Sequence, residues 1–473
     1  MENKPKLTSG IINSYALANG LNTMAFTVPT LYLTMFITDY LHISPVAMGT
    51  GMLIAKTADF IISIIAGVVI EKVNMKHGKY MSWIRLLTVT LFFGNVVQML
   101  DTTAFISNAT LRLTIVMIFY IMFHGSMNFN ATARAALIPK MAGADMEARK
   151  AITARQGQVG AAVSIISSAI TLPIVQFVQK ITGSETLGYT LAALLFSTSF
   201  VICNVIFIKQ ASGFDPPAEP GAAKKSSPTV GQMVSSVVTN KQMLILFCGF
   251  TIFTIGTQIY AGVLTYFFRV NGIFGSYTIA LTARSICAFL ASMVAPPLAR
   301  KIGKKGGLIC GWCMYAAGLL IFWAFGLGKD GANLIVAIVS MCLCQSAMYM
   351  YQVFLANYYL DCGEYGYYTT GIDNRTMAVT VMNWPTKIGF ALGGSLVGYG
   401  LAWAGYHAPD AATGAAAYFE STSKFMIVLG LIPAICCAAG AVIILLFYKL
   451  TDEEAANYAR LNAEREQAAK ANA

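Results

Sequence analysis

The chain has 473 residues, of which 56% are hydrophobic and 11% charged, with a mean hydropathy of +0.63. A soluble globular protein carries about 25% charged residues, so too few polar side chains are present to cover a water-facing surface. That excludes a soluble enzyme, a nucleic-acid binder and a disulfide-framed secreted domain. The ten cysteines lie in apolar stretches (Cys203, Cys248, Cys287, Cys436 and Cys437 among them) and read as small buried hydrophobes kept reduced. Cys310 and Cys313 form one C-x-x-C, and with four histidines and no second spaced pair no metal site is expected.

A membrane-crossing helix takes about 20 mostly apolar residues. Twelve stretches reach that length, over 12–38, 45–71, 82–101, 110–138, 152–179, 187–208, 242–268, 273–299, 307–327, 332–359, 374–404 and 422–448. The alternating segments of a transmembrane barrel are not seen. Met1-Glu2-Asn3-Lys4-Pro5 has no cleavage-site pattern, so the first span reads as a retained helix.

The 32 Lys and Arg fix the orientation. Even-numbered joins carry most of them: Lys72, Lys76, Lys79 and Arg85, then Lys140, Arg149 and Lys150, then Lys209, Lys224, Lys225 and Lys241, then Arg300, Lys301, Lys304 and Lys305. Odd-numbered joins hold only Arg112, Lys180, Arg269, Lys329 and Lys424. The positive-inside rule then puts both termini in the cytoplasm. The net charge of +11 is thus mostly topology and calls for no nucleic acid.

The longest interior polar segment is 211–232, with Pro216, Pro217, Pro220, Gly221, Lys224, Lys225 and Pro228, a linker composition. The chain divides into a six-helix bundle over 1–210, a cytoplasmic linker over 211–232, a second bundle over 233–450 and a tail over 451–473. An echo supports two halves. Glu71–Lys79 after the second span and Ala299–Lys305 after the eighth are both short basic turns with Gly beside Lys. Parallel repeats with a substrate site between them are a transporter architecture. In the tail, Thr451 and Glu454 form a capping-box pattern, and the charged, alanine-rich run behind them reads as a solvated helix with no chemistry of its own.

Ionisable groups inside a span need a partner or a water-lined cavity. Lys56, Asp59 and Ser63 share one face of the second span. Asn19, Asn22, Thr23 and Phe26 share a face of the first. The fourth span has His124, Asn128, Asn130 and Arg134, the fifth Arg155, the seventh Gln258, the eighth Arg284, the tenth Tyr349 and the eleventh Asn383, Trp384 and Lys387. Asp59 is the one carboxylate well inside a span and reads as a cation-coupling group, with a structural pair to Lys56 or Lys387 as the alternative. Lys387 reads either as its counter-ion or as a substrate contact. Arg134 either meets substrate or snorkels to the headgroups. Arg284 reads equally as a structural pair. Gly393-Gly394 reads as a close helix contact. No nucleotide loop, G-x-S-x-G or metal-binding His pair appears, so the chain is read as no enzyme and with no cofactor.

Several motifs together resemble the glycoside–pentoside–hexuronide:cation symporters of the major facilitator superfamily, the group of melibiose permease and the glucuronide carrier. They are Thr38-Asp39, Lys56-Thr57-Ala58-Asp59, Gly78-Lys79-Tyr80, Asp361-Cys362-Gly363-Glu364-Tyr365 with Thr370-Gly371 after span ten, Lys387 before Gly393-Gly394, and Leu446–Asp452. The resemblance implies an all-α major-facilitator fold with twelve helices in two pseudo-symmetric bundles, alternating access, and sugar or glycoside uptake driven by H⁺, Na⁺ or Li⁺. Gly78, Lys79, Asp361 and Glu364 then fall on the cytoplasmic gating loops.

The sequence departs from the family where it matters. Asp59 falls on the first cation-site aspartate, but the second is Ser63, which points to H⁺ rather than Na⁺, since a hard cation prefers several oxygens. Asn19–Thr23 and Asn128 with Asn130 stand where the family often has acids. Asp373 replaces the basic residue after the T-G pair, with Arg375 two further on. Lys56, Arg134, Arg155, Arg284 and Lys387 against Asp59 favour an anionic sugar, a glucuronide, another hexuronide or a sulfonated sugar, which Arg holds bidentately. Substrate contacts are expected from Asn19, Asn22, Thr23, Phe26, Lys56, Asn128, Asn130, Arg134, Arg155, Gln258, Arg284, Tyr349, Asn383, Trp384 and Lys387, and ion coupling from Asp59, Ser63 and Lys387. The expected setting is a monomer in the lipid bilayer of a bacterial inner membrane. The alternatives are a Na⁺-coupled neutral oligosaccharide symporter, a drug/H⁺ antiporter on the same fold, and a membrane receptor that does not transport.

Overall fold

The computed structural model describes residues 6–73, 75, 77–143, 145–216, 229–328, 331–373, 375–410 and 413–471. Lys76, Lys224, Lys225, Lys329 and most of the proline-rich linker lie outside the described residues. The chain forms two compact units. The first holds residues 1–227 with 277–282 and 407–418, and the second holds the remainder.

In the first unit, α1 (Ser9–Met35), α2 (Pro45–Lys72), α3 (Met81–Gln98), α4 (Ala109–Ala142), α5 (Met146–Thr182) and α6 (Glu185–Ala211) follow one another. Five of the six starts are set by a short polar side chain that accepts a backbone N–H: Thr8, Ser44, Asn108, Asp145 and Ser184. α3 has no such residue of its own. α1 packs on α5 and α6, α3 on α4, and α2 on α4. Gly20 of α1 packs tightly on Val159 of α5, and Gly94 of α3 lies so close to Phe123 of α4 that a Cβ would force a shift. In a bilayer such small-residue contacts, rather than hydrophobic burial, bring helices together. Outward faces are apolar and exposed, as at Ile54, Ile61, Phe93, Ile118, Phe177 and Ile202.

The second unit contains α7 (Val230–Thr239), α8 (Lys241–Val270), most of α9 (Tyr277–Phe325), α10 (Leu334–Gln352), α11 (Leu355–Thr370), α12 (Arg375–Val381), α13 (Trp384–Trp403), α14 (Thr422–Met426), α15 (Ile432–Phe447) and α16 (Asp452–Ala471). α8 is central, flanked by α13 and α15. A Cβ on Gly389 would lie 2.5 Å from Thr254 Cβ, and one on Gly393 2.7 Å from Gln258 Cβ, so Gly393 is a close helix contact as read. Trp312 lies flat on Phe253 at 4.5 Å and edge-on to Phe250 at 4.9 Å.

Nine segments among the described residues are long and apolar enough to cross a membrane. One of them, Phe274–Phe325, holds two crossings that meet at Gly303, whose φ of 74° and ψ of 163° only glycine adopts readily. With those arms counted separately, and α3 (18 residues) and α13 (20 residues) added, twelve apolar helices among the described residues have crossing length. The fold is the all-α major-facilitator architecture. Two details differ from expectation. The Asp361–Tyr365 segment is not a loop but part of α11, because the chain resumes its helix directly after a short break at Val353 and Phe354. Cys248, Cys310 and Cys313 are exposed rather than buried, while all ten cysteines are free thiols.

Candidate functional site

Asp59 sits within α2 and is 5% exposed. Gly125 lets α4 approach there, since a Cβ on it would meet Ile62 at 3.3 Å. Asn128, three residues on, donates from Nδ2 to Asp59 Oδ1 at 2.6 Å and reaches the Asp59 carbonyl at 3.4 Å. Ser63, one turn beyond Asp59, donates its hydroxyl to the Phe60 carbonyl at 2.7 Å. Lys56, one turn before Asp59, is half-buried.

α1 supplies the other wall. Phe26 stacks on Phe123 at 6.1 Å and meets His124 edge-on at 5.3 Å, and His124 stacks on Tyr120 at 4.0 Å. Asn22, one turn earlier, is buried; its Nδ2 reaches the Met127 sulfur at 3.1 Å and its Oδ1 has no hydrogen-bond partner. Asn19 is half-buried, and Thr23 is exposed with its hydroxyl on the Asn19 carbonyl at 3.3 Å. Contacts through His124, Met127 and Asn128 of α4 thus tie together a carboxylate, two amides and an aromatic face. Amides and a carboxylate suit sugar hydroxyls, and aromatic rings suit the sugar's apolar face. Tyr120 was not singled out in the sequence; its spacing of four from His124 was the available signal.

Arg134 and Asn130 have a different role. Arg134 is 2% exposed and does not snorkel. Its Nε donates to Asn130 Oδ1 at 3.1 Å and one terminal nitrogen to Asn204 Oδ1, while Asn204 donates to Thr88 Oγ1. The guanidinium also lies over the rings of Phe207 at 5.4 Å and Tyr15 at 5.9 Å. This network ties α4 to α1, α3 and α6, a structural role for Arg134 and Asn130, while one terminal nitrogen of Arg134 has no hydrogen-bond partner among the described residues. Arg155 is exposed, bonded to Asn13 at 2.8 Å and Gln158 at 3.3 Å.

In the second unit, Trp384 is buried at the start of α13, with Asn383 exposed before it and Lys387 half-buried in the first turn. Gln258 on α8, Arg284 on α9 and Tyr349 on α10 are half-buried. Among the described residues no three His, Cys, Asp or Glu side chains gather as metal ligands.

The basic turns are built structures. In the first unit Asp215, 1% exposed, accepts from the backbone N–H of Tyr80 at 2.6 Å and of Met81 at 2.8 Å, and so caps α3 from across the sequence. Lys140 binds its other oxygen and lies 4.8 Å over the Tyr80 ring. Gly78, at φ 98°, passes so close to Asp215 that any Cβ would collide with its carbonyl. Lys79 lies 5.6 Å from the centroid of the Tyr80 ring. In the second unit Lys304, directly after Gly303, pairs with Asp361 and lies 3.6 Å from Asp452, whose Oδ2 accepts from the Lys304 N–H at 3.1 Å. In each half an aspartate just beyond the last span grips the Gly-Lys turn.

The tail is not merely solvated. Its capping box forms, with Thr451 and Glu454 exchanging bonds at 2.8 and 3.2 Å. α16 then docks on α11: Asn462 donates to Glu364 Oε2 at 2.8 Å, and Tyr458 packs against Tyr365 and Tyr368 at 5.6 and 5.0 Å. Arg375 bridges Glu466 at 2.6 Å, Asp373 at 2.7 Å and Glu364 at 3.3 Å. The Arg375 guanidinium holds the Asp373 carboxyl below its ordinary pKa, and burial lifts that of the Tyr458 phenol.

Apolar helices of crossing length with exposed apolar faces define a multi-pass membrane protein. The chain belongs to the MFS/sugar transport protein family, whose profile spans residues 14–452, and the resemblance to the glycoside–pentoside–hexuronide:cation symporters stands. It is 24% identical to the isoprimeverose transporter of Lactiplantibacillus pentosus over 84% of this chain and 81% of that one. It is 23% identical to the glucuronide carrier protein homolog of Escherichia coli K12 over 94% and 93%. The crystal structure of the nucleoside transporter NupG shares the fold, with a TM-score of 0.64 at 14% identity, covering 93% of this chain and all of that one.

Proposed function

We propose that the chain couples inward H⁺ movement to uptake of an anionic sugar derivative, a hexuronide, a glucuronide or a sulfonated sugar, by alternating access. It works as a monomer in a bacterial inner membrane with cytoplasmic termini and two six-helix halves, 1–210 and 233–450. The observation that carries H⁺ coupling is the bond from Asn128 Nδ2 to Asp59 Oδ1 at 2.6 Å. A single carboxylate held by an amide suits a proton as its exchangeable cation, whereas a sodium ion wants several oxygens and carboxylate charge around it. Ser63, in place of a second carboxylate, brings no charge and points its proton at the Phe60 carbonyl.

Half-buried Arg284, in the second unit, carries positive charge suited to an anionic substrate. The unpartnered Oδ1 of Asn22 and the ring of Phe26 suit the sugar itself. The similarity to a glucuronide carrier homolog supports the same class. A second reading, a neutral glycoside, draws on the engagement of Arg134 by Asn130 and Asn204. Competition of uptake by an aryl glucuronide and its uncharged glucoside separates the two. The glucuronide is expected to compete better; equal or better competition by the glucoside contradicts an anionic substrate.

A further inference from the structure

A cavity of about 420 Å³ lies in the second unit where α9 turns at Gly303 and the last span passes into α16. Ile302, Ile309 and the glycines flanking Lys304-Lys305 form part of its wall, with Thr451, Asp452 and Glu453 completing it. Lys304 is already engaged by the two carboxylates of Asp361 and Asp452. Lys305 and Glu453 are not: among the described residues neither has an ion-pair partner, and although both line this cavity they do not pair with each other. The α16 N-terminus offers no free anion site either, because Thr451 and Glu454 cap it.

We infer that this cavity binds a zwitterionic phosphate–ammonium group, the phosphoethanolamine headgroup of an aminophospholipid, with the phosphate on Lys305 and the ammonium on Glu453. A cation and an anion that line one cavity without pairing match a ligand that carries both charges. A purely anionic headgroup satisfies Lys305 but leaves Glu453 repelling it. The location fits a lipid. Exposed Leu445, Leu446 and Phe447 end the last span just before Thr451, and Ile302 is 44% exposed, so an apolar belt adjoins the polar cavity. Exposed Arg300 and Lys301 on the approach mark the headgroup level, where lysines and arginines gather at a membrane surface.

Native mass spectrometry of the purified full-length protein, titrated with phosphatidylethanolamine or phosphatidylglycerol, tests this without any transported substrate. The parent is expected to retain phosphatidylethanolamine more tightly. Lys305→Gln should weaken both lipids about fivefold, the factor one surface cation contributes at a headgroup layer. Glu453→Gln should remove the preference while leaving phosphatidylglycerol bound. Unchanged thermal melts of both variants would show intact folding. Displacement by free O-phosphoethanolamine would identify a soluble source of the same chemistry; resistance to it supports the lipid. Equal retention of the two lipids by the parent, or a preference that survives Glu453→Gln, overturns the inference.

Discussion

Replacing Asp215 by alanine should loosen the first unit at the start of α3. Asp215 is almost fully buried, and its carboxylate accepts from the Tyr80 and Met81 N–H groups at 2.6 and 2.8 Å, at a helix start with no side-chain cap of its own. Hydrogen bonds to a charged group are worth about 1.5–3 kcal/mol each, and losing an N-cap costs about 0.5–2 kcal/mol. These overlap, since both describe the same two donors, so a net loss of about 3 kcal/mol is expected. For a unit of roughly 200 residues, that lowers the unfolding midpoint by about 6–12 °C. The assay is thermal unfolding in detergent, followed by a thiol-reactive dye on half-buried Cys203, the one cysteine of the first unit. Asp215→Asn keeps an acceptor and should lose less. Lys140→Gln should lose under about 1 kcal/mol, because its side chain is 36% exposed. Asp215→Ala melting with the parent, or Lys140→Gln costing more than Asp215→Ala, would refute capping from across the sequence.

Asn204→Ala should destabilise the first unit by about 1–3 kcal/mol, because it removes the acceptor of the buried Arg134 guanidinium; the melt should fall with little change in substrate affinity. Gly389→Val should separate α13 from α8, since a Cβ there lies 2.5 Å from Thr254; overpacking of about 1–3 kcal/mol is expected, with transport reduced through the displaced Lys387 helix. Docking of α16 should loosen in acid. Asp373 has a lowered folded pKa, so its contribution is complete above the unfolded value of 3.8 and disappears as pH falls through the folded value. Since Asp373 is half exposed the effect is small, and Arg375→Gln should reproduce it at neutral pH. A spin label at Ala463 should gain mobility in both cases, and unchanged spectra would contradict the docking.

The order of spans was legible because twelve apolar stretches and the alternation of basic joins are properties of sequence alone. Asp59 and Asn128 were both legible as polar residues within spans; their bond was not, because it depends on how Gly125 sets α4 against α2. Asn130 and Arg134 looked like ligands because buried amides and guanidinia read the same whether they face a cavity or a neighbouring helix. Asp215 lay in a segment whose prolines signalled a linker. Its signal was the repeat itself, as Asp452 occupies the matching place after the last span of the second half. The tail was legible as a helix through its capping box, but its docking rests on Tyr458, Asn462 and Glu466, spaced along one face of an otherwise polar sequence.

The most direct test is uptake of a labelled aryl glucuronide into proteoliposomes with membrane potential clamped, driven either by an inward H⁺ gradient or by an inward Na⁺ gradient. The account predicts accumulation with the H⁺ gradient alone, its loss on adding a protonophore, and its absence in Asp59→Asn, which should retain exchange of bound substrate. Accumulation driven by Na⁺ and indifferent to the protonophore, or H⁺-driven accumulation that persists in Asp59→Asn, would contradict it.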